Sequence, residues 1–192
     1  METTQIFKKN TIIIDASYLN HVAFDLTVNF ERMLERRIDK ADLPTLLDCM
    51  ALDGGLKPGE NEIQVIFIYQ KNTGYDCLNP SDMAGLDGKA FKSNMGEFTI
   101  QAVPLEEKLT TMNAFFADIT TLAVESEKNE TLVLVPNTDE GGHEVTRVLK
   151  NAKKQTTILC MNPLHGTGFA CEVLGYSLMQ AMRIRSEELM NG

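Results

Sequence analysis

The run Thr11-Ile12-Ile13-Ile14-Asp15-Ala16-Ser17 constrains this chain more than any other stretch. Three consecutive β-branched isoleucines suit a strand buried on both faces, the environment of a central strand in a parallel sheet. The run stops on an acid followed by small and polar residues. Ligands of open α/β sheets bind in the crevice beyond the carboxyl ends of the strands, so Asp15 is expected at the lip of such a crevice. A carboxylate beside apolar strand residues is costly to desolvate unless donors or a cation compensate it. Two roles answer that need. Asp15 contacts a ligand or metal, or it caps the segment that follows through backbone N–H groups.

Four more runs read as strands: 63–69, 98–103, 131–135 and 156–161. Helical spacing of apolar residues predicts helices over 41–52, 105–126 and 142–153, and a last amphipathic helix over 170–190. Val22, Phe24, Leu26, Val28 and Phe30 alternate with polar or small residues, which predicts an edge strand or arm leading into a short helix. Strands alternating with helices argue for an α/β domain with a mainly parallel sheet. Residues 70–96, with Gly74, Pro80, Gly85 and Gly88, read as a long irregular insertion: a lid, a binding element or a mobile loop. The expected organisation is a single domain over 1–192, with a core at 11–163 and a C-terminal helix at 170–190.

Charge limits the partners. Against 18 Lys and Arg stand 27 Asp and Glu, a formal charge of −9, which disfavours nucleic acid by long-range repulsion. Local basic groups remain at Arg32, Arg36, Arg37 and Lys40, and at Arg147, Lys150, Lys153 and Lys154. The second group reads as a solvated helix face or as a complement to a helix C-terminus. No apolar run approaches the roughly 20 residues of a membrane span, so no membrane partner is expected. The stretch METTQIFKKN lacks the apolar segment of a secretory signal. The cysteines Cys49, Cys77, Cys160 and Cys171 are dispersed without a C-x-x-C pair, in keeping with reduced thiols and a cytoplasmic location. Asn129-Glu130-Thr131 matches a glycosylation sequon, which means little without export.

Acids follow two of the strands: Asp15 after the first, Asp139 and Glu140 after the fourth. Parallel strands align their carboxyl ends, so these acids can converge. Asp118 joins them if its helix docks over the same edge. Carboxylates gathered at one point repel unless a hard cation sits among them, and Mg²⁺ or Mn²⁺ prefers such oxygen ligands. That arrangement suits phosphodiester hydrolysis. His143 follows the acidic turn and reads as a surface helix-start residue, a phosphate contact or a proton donor; His165 lies in the loop after the fifth strand, on the same edge of a parallel sheet. A final helix presenting Leu174, Leu178 and Ala181 outward would form a homodimer contact.

Over residues 11–163 the order of these pieces resembles the NYN domains, a branch of the PIN-like ribonuclease superfamily. The matching pieces are IIIDASYLN, FFADITTLAVES and TLVLVPNTDEGGHEVTRVLKNAKKQTTILCM. The resemblance implies a five-stranded, mainly parallel sheet with the first strand central and helices on both faces. It also implies Mg²⁺ or Mn²⁺ held by Asp15, Asp118 and Asp139, with Glu140 assisting, in an endoribonuclease acting on single-stranded RNA. Tyr18 stands where the family usually has Asn, and Asp139 and Glu140 are adjacent where it has two Asp separated by Gly. These departures keep two other expectations open: a catalytically degenerate PIN-like fold that binds a protein or ligand, and a site for a small phosphorylated molecule.

Overall fold

β1 (Asn10–Asp15) is buried along its whole length. Its isoleucines divide between two cores, Ile13 facing one and Ile12 and Ile14 the other. The computed structural model describes residues 6–191; the first five residues of the METTQIFKKN stretch and Gly192 lie outside the described residues. On one side β1 pairs in parallel with β3 (Asn61–Tyr69), which pairs with β6 (Gly96–Pro104); on the other it pairs with β7 (Thr131–Val135), then β8 (Gln155–Cys160). The five apolar runs expected as interior strands are all present, with β1 between the two wings.

Among the described residues the sheet has seven strands rather than the five expected. β5 (Ala90–Ser93) adds antiparallel to β6, and β9 (Ala170–Val173) adds parallel to β8. Both are four-residue edge strands in which no residue is fully buried. A short, half-wet edge carries little apolar pattern, which is why neither stood out. A separate two-residue pairing joins β2 (Ala41–Asp42) to β4 (Leu78–Asn79).

Helices cover both faces. α1 (Ala16–Leu34), α2 (Leu43–Asp53) and α5 (Leu174–Ala181) pack with Ile12, Val65, Phe67, Phe98 and Val133. α3 (Met112–Glu125) and α4 (Gly142–Leu149) pack with Ile13, Ile68, Leu134 and Ile158 on the other face. A short α6 (Ser186–Met190) ends the described chain. Asp42 caps α2 by accepting the Thr45 N–H at 3.1 Å, and Leu46, Leu47 and Met50 form the buried stripe of the helix expected over 41–52.

Residues 22–30 are helical, not an edge strand. Val22, Leu26 and Phe30 are spaced four apart and turn toward the core, while Phe24 and Val28, also four apart, are exposed. Two interleaved i, i+4 series look like period-2 alternation, and the helix won because only one series has a core to meet. Likewise α3 begins at Met112 rather than 105, capped by the Thr111 hydroxyl, which accepts the Ala114 N–H at 3.2 Å. Leu109, inside the span expected as helix, lies before α3 and is 84% exposed.

The insertion at 70–96 is built into the molecule. Tyr75, Leu78, Met83 and Leu86 are buried in the core with α1 and α2. Asn20 Oδ1 accepts the Cys77 N–H at 3.1 Å, and Asp87 Oδ1 accepts the Ala102 N–H at 3.0 Å. The expected helix over 170–190 is instead β9, α5 and α6, broken where Arg183 adopts a positive φ of 57°. Leu174, Leu178 and Ala181 face inward, and Ser177 donates to Asp53 of α2 at 2.7 Å. The face expected to contact a second copy is thus consumed inside the chain. Asn129, the sequon residue, is 3% exposed, and its amide donates to the Lys8, Lys9 and Thr131 carbonyls and to Thr11 Oγ1. Among the described residues no helix is long and apolar enough to cross a membrane.

Candidate functional site

Chain order leaves β1 in both directions, to β3 and β6 on one side and to β7 and β8 on the other, so the switch point lies between β1 and β7. A cleft of ≈ 630 Å³ opens there, at the carboxyl ends of the strands. Asp15 enters it from the end of β1, Gln70 from the end of β3, and Asn137, Asp139 and Glu140 from the turn after β7. Ser17, Tyr18 and His21 come from α1, Asn113 from the start of α3, and Glu144 from α4.

Local chemistry builds each wall. Asp15 is the N-cap of α1 and its Oδ1 accepts the Tyr18 N–H at 3.0 Å, so the capping role foreseen for it is real. It is also 2% exposed and lines the cleft. Burial pushes its carboxyl up from 3.8 to about 6, the Tyr18 and Ser17 N–H groups pull against that rise, and the charge of Glu140 adds to it. Ser17 donates to Gln70 Oε1 at 3.1 Å and shares a hydrogen bond with the Tyr75 hydroxyl at 3.2 Å, so the insertion is tied to the cleft floor. The Tyr18 hydroxyl meets Thr138 Oγ1 at 3.0 Å, and burial raises the Tyr18 phenol above its usual range.

The turn after β7 is shaped by Asn137, whose side chain accepts the Asp139 N–H at 3.1 Å and whose carbonyl accepts the Gly141 N–H at 2.8 Å. A Cβ on Gly141 would fall 2.6 Å from Asn113 Cγ, so glycine lets this turn close onto α3 without displacing the Asn113 side chain. That approach sets Asn113 beside the acids. Asp139 and Glu140 are exposed, and the charge of Glu140 is felt at Asp15.

Of the residues expected to act together, Asp15, Asp139 and Glu140 share the cleft. Asp118 is exposed on α3 and is not among the residues lining it. Among the described residues, no three His, Cys, Asp or Glu side chains form a group that could hold a metal ion. The acids do carry the right donor chemistry. Carboxylate and amide oxygens, without thiol or paired imidazole, suit a hard cation. Mg²⁺ commonly takes one or two protein carboxylates, waters and substrate phosphate oxygens rather than a complete protein cage, and Asp15 with Asp139 or Glu140 fits that pattern.

Sequence reasoning missed Ser17, Gln70, Asn113, Asn137 and Glu144. Strand-end position carries a signal for Gln70 and Asn137, each within two residues of a strand terminus. Asn113 had none, because it depends on where α3 docks.

The arrangement defines a doubly wound α/β protein with an acid-lined crevice at its switch point. Its β1–α1 turn, Asp15-Ala16-Ser17, has no glycine and places a carboxylate at the helix N-cap, so it is not the glycine-rich cradle of a dinucleotide pyrophosphate. Residues 4–189 match a family of unknown function (DUF6621), and the chain belongs to that family. No curated protein and no solved structure matches it.

Proposed function

We propose that the switch-point cleft is a divalent-cation-assisted phosphodiesterase site, and that the protein is an endoribonuclease of NYN or PIN-like type acting on single-stranded RNA. The observation that carries this reading is the convergence of buried Asp15 with Asp139, Glu140 and Glu144 on one crevice. The order β6-β3-β1-β7-β8 of its parallel strands, with β1 central, supports the α/β class that this reading needs, although two edge strands take the sheet beyond five.

Asp15 and Asp139 or Glu140 would hold Mg²⁺ or Mn²⁺ together with phosphate oxygens of the bound strand. The cation would polarise the scissile phosphate and neutralise charge that develops on it. Asn113 and Gln70 supply amide donors to phosphate or ribose oxygens. Asp118 has no role in this site.

A second reading has its own support: Asp15 is already engaged as a helix cap, and Asp118 lies outside the cleft. Both facts fit a degenerate relative that binds a ligand without cleaving it. Cleavage of mixed-sequence single-stranded RNA in Mn²⁺ separates the two. We expect cleavage by the wild type, lost in Asp15→Asn and retained in Asp118→Asn. Absence of Mn²⁺-dependent cleavage in the wild type would leave the binding reading in its place.

A further inference from the structure

On the face of α4 next to the acidic cleft, the structure gathers side chains of opposite character. His143, Arg147 and Lys150 lie at i, i+4 and i+7, and with His165 and Thr167 from the loop between β8 and β9 they line a groove of ≈ 700 Å³. Among the described residues no ion pair involves Arg147 or Lys150, although acids outnumber bases 27 to 18 in this chain. Complementing the α4 C-terminus accounts for Arg147 and Lys150 at most. It does not account for His165, which another element delivers.

The loop is held against α4. Thr167 Oγ1 donates to the Lys150 carbonyl at 3.2 Å. Gly168 has a φ of +88°, and a Cβ there would fall 1.9 Å from the Leu149 carbonyl oxygen, so only glycine permits the approach. Lys154, grouped with these residues by sequence, points elsewhere and donates to the Ser126 and Asn129 carbonyls. The groove is therefore a selected subset of the basic run rather than its whole solvated face.

We propose that this groove is an anion subsite for backbone phosphates of a single-stranded nucleic acid whose scissile phosphate lies in the acidic cleft. The strand would cross the first turn of α4, where Glu144 faces the cleft and neighbouring His143 faces the groove. Unpaired cations beside imidazole donors are the chemistry that recognises phosphodiester oxygens. This assignment rests on the nuclease reading for its strand, and it is tested without catalysis.

The experiment is fluorescence anisotropy of a short labelled single-stranded RNA of mixed sequence, titrated with full-length protein in EDTA across a salt series. The variants are Arg147→Gln/Lys150→Gln and a control, Lys57→Gln/Lys92→Gln, which removes equal charge at the amino-terminal end of the sheet. We expect salt-dependent binding by the wild type and the control. In the groove variant the slope of log K against log salt should shrink by about 1.4, about 0.7 for each phosphate that is no longer neutralised. Equal weakening by both double variants, no change in the groove variant, or no RNA binding by the wild type would each overturn the proposal. In a parallel arm inorganic phosphate replaces the RNA: phosphate binding that needs Arg147 and Lys150, without RNA binding, would assign the groove to a small phosphorylated ligand and also overturn it. RNA binding through the groove with no Mn²⁺-dependent cleavage would sustain the subsite and remove the nuclease reading alone.

Discussion

Asp15 caps α1 and lines the cleft, and the two roles pull its chemistry in different directions. As a cap it gains two backbone donors, but its burial disfavours the charged form more strongly, and the carboxyl rises to about 6. The sign of the consequence follows from linkage. Between about pH 4 and about 6 the native state holds this proton more firmly than the unfolded chain does, so stability falls as pH rises through that window. The integrated effect is about 3 kcal/mol. Asparagine keeps the capping oxygen and cannot ionise, so Asp15→Asn should remove this slope and melt higher than the wild type near neutral pH. Thermal melts of both proteins across the window are the check. A variant less stable at neutral pH would mean that the carboxylate is held by its cap rather than strained by burial. A charged group retained at a cost to stability is what a functional residue looks like.

Elements were legible where one pattern had one interpretation. The isoleucine run reads as an interior strand, and the spacing of Leu46, Leu47 and Met50 reads as an amphipathic helix; both are observed. At 22–30 two interpretations shared one pattern, and packing decided between them. That decision has a direct test. In a strand, Val22 and Phe24 would share a face; in α1, Val22 is 5% exposed and Phe24 53%. Val22→Ser should therefore cost about 2 kcal/mol or more, and Phe24→Ser should stay within about 0.5 kcal/mol, by urea denaturation. Equal costs would contradict the helix. The C-terminal stretch failed for another reason. Its apolar spacing is genuine in α5, but four residues of β9 precede it and the left-handed Arg183 ends it.

At the scale of the molecule, one sheet serves two cores, and the C-terminal segment is needed to close one of them. Ile12, Leu46, Leu47 and Leu178 belong to the same buried cluster. A chain ending before Ala170 would expose the α2 side of that cluster and lose the Asp53–Ser177 bond. It should lose its cooperative melting transition and aggregate, as monitored by circular dichroism and light scattering. A truncated chain that melts cooperatively would show that α5 is an accessory rather than part of the fold. The net charge of −9 also takes on a different meaning at this scale. Summed over the chain it opposes a polyanion, yet the surface separates an acidic crevice from a basic groove on adjacent faces of α4. Field at a site depends on that separation, not on the sum.

Residues adjacent in the chain were enough to set the class of fold, the central place of β1, the five interior strands and the position of Asp15 at a strand end. Each of these follows from local stereochemistry and from the desolvation of neighbouring side chains. The pairing of β7 beside β1 put Asp139 and Glu140 in one cleft with Asp15, and the docking of α3 left Asp118 outside it. Docking also joined Ser17 to Tyr75, closed the β7 turn onto Asn113 through Gly141, and brought His165 beside Arg147. These are approaches between residues far apart in sequence, fixed by how each helix rotates about its own axis as it packs. No period or spacing within one segment encodes that rotation.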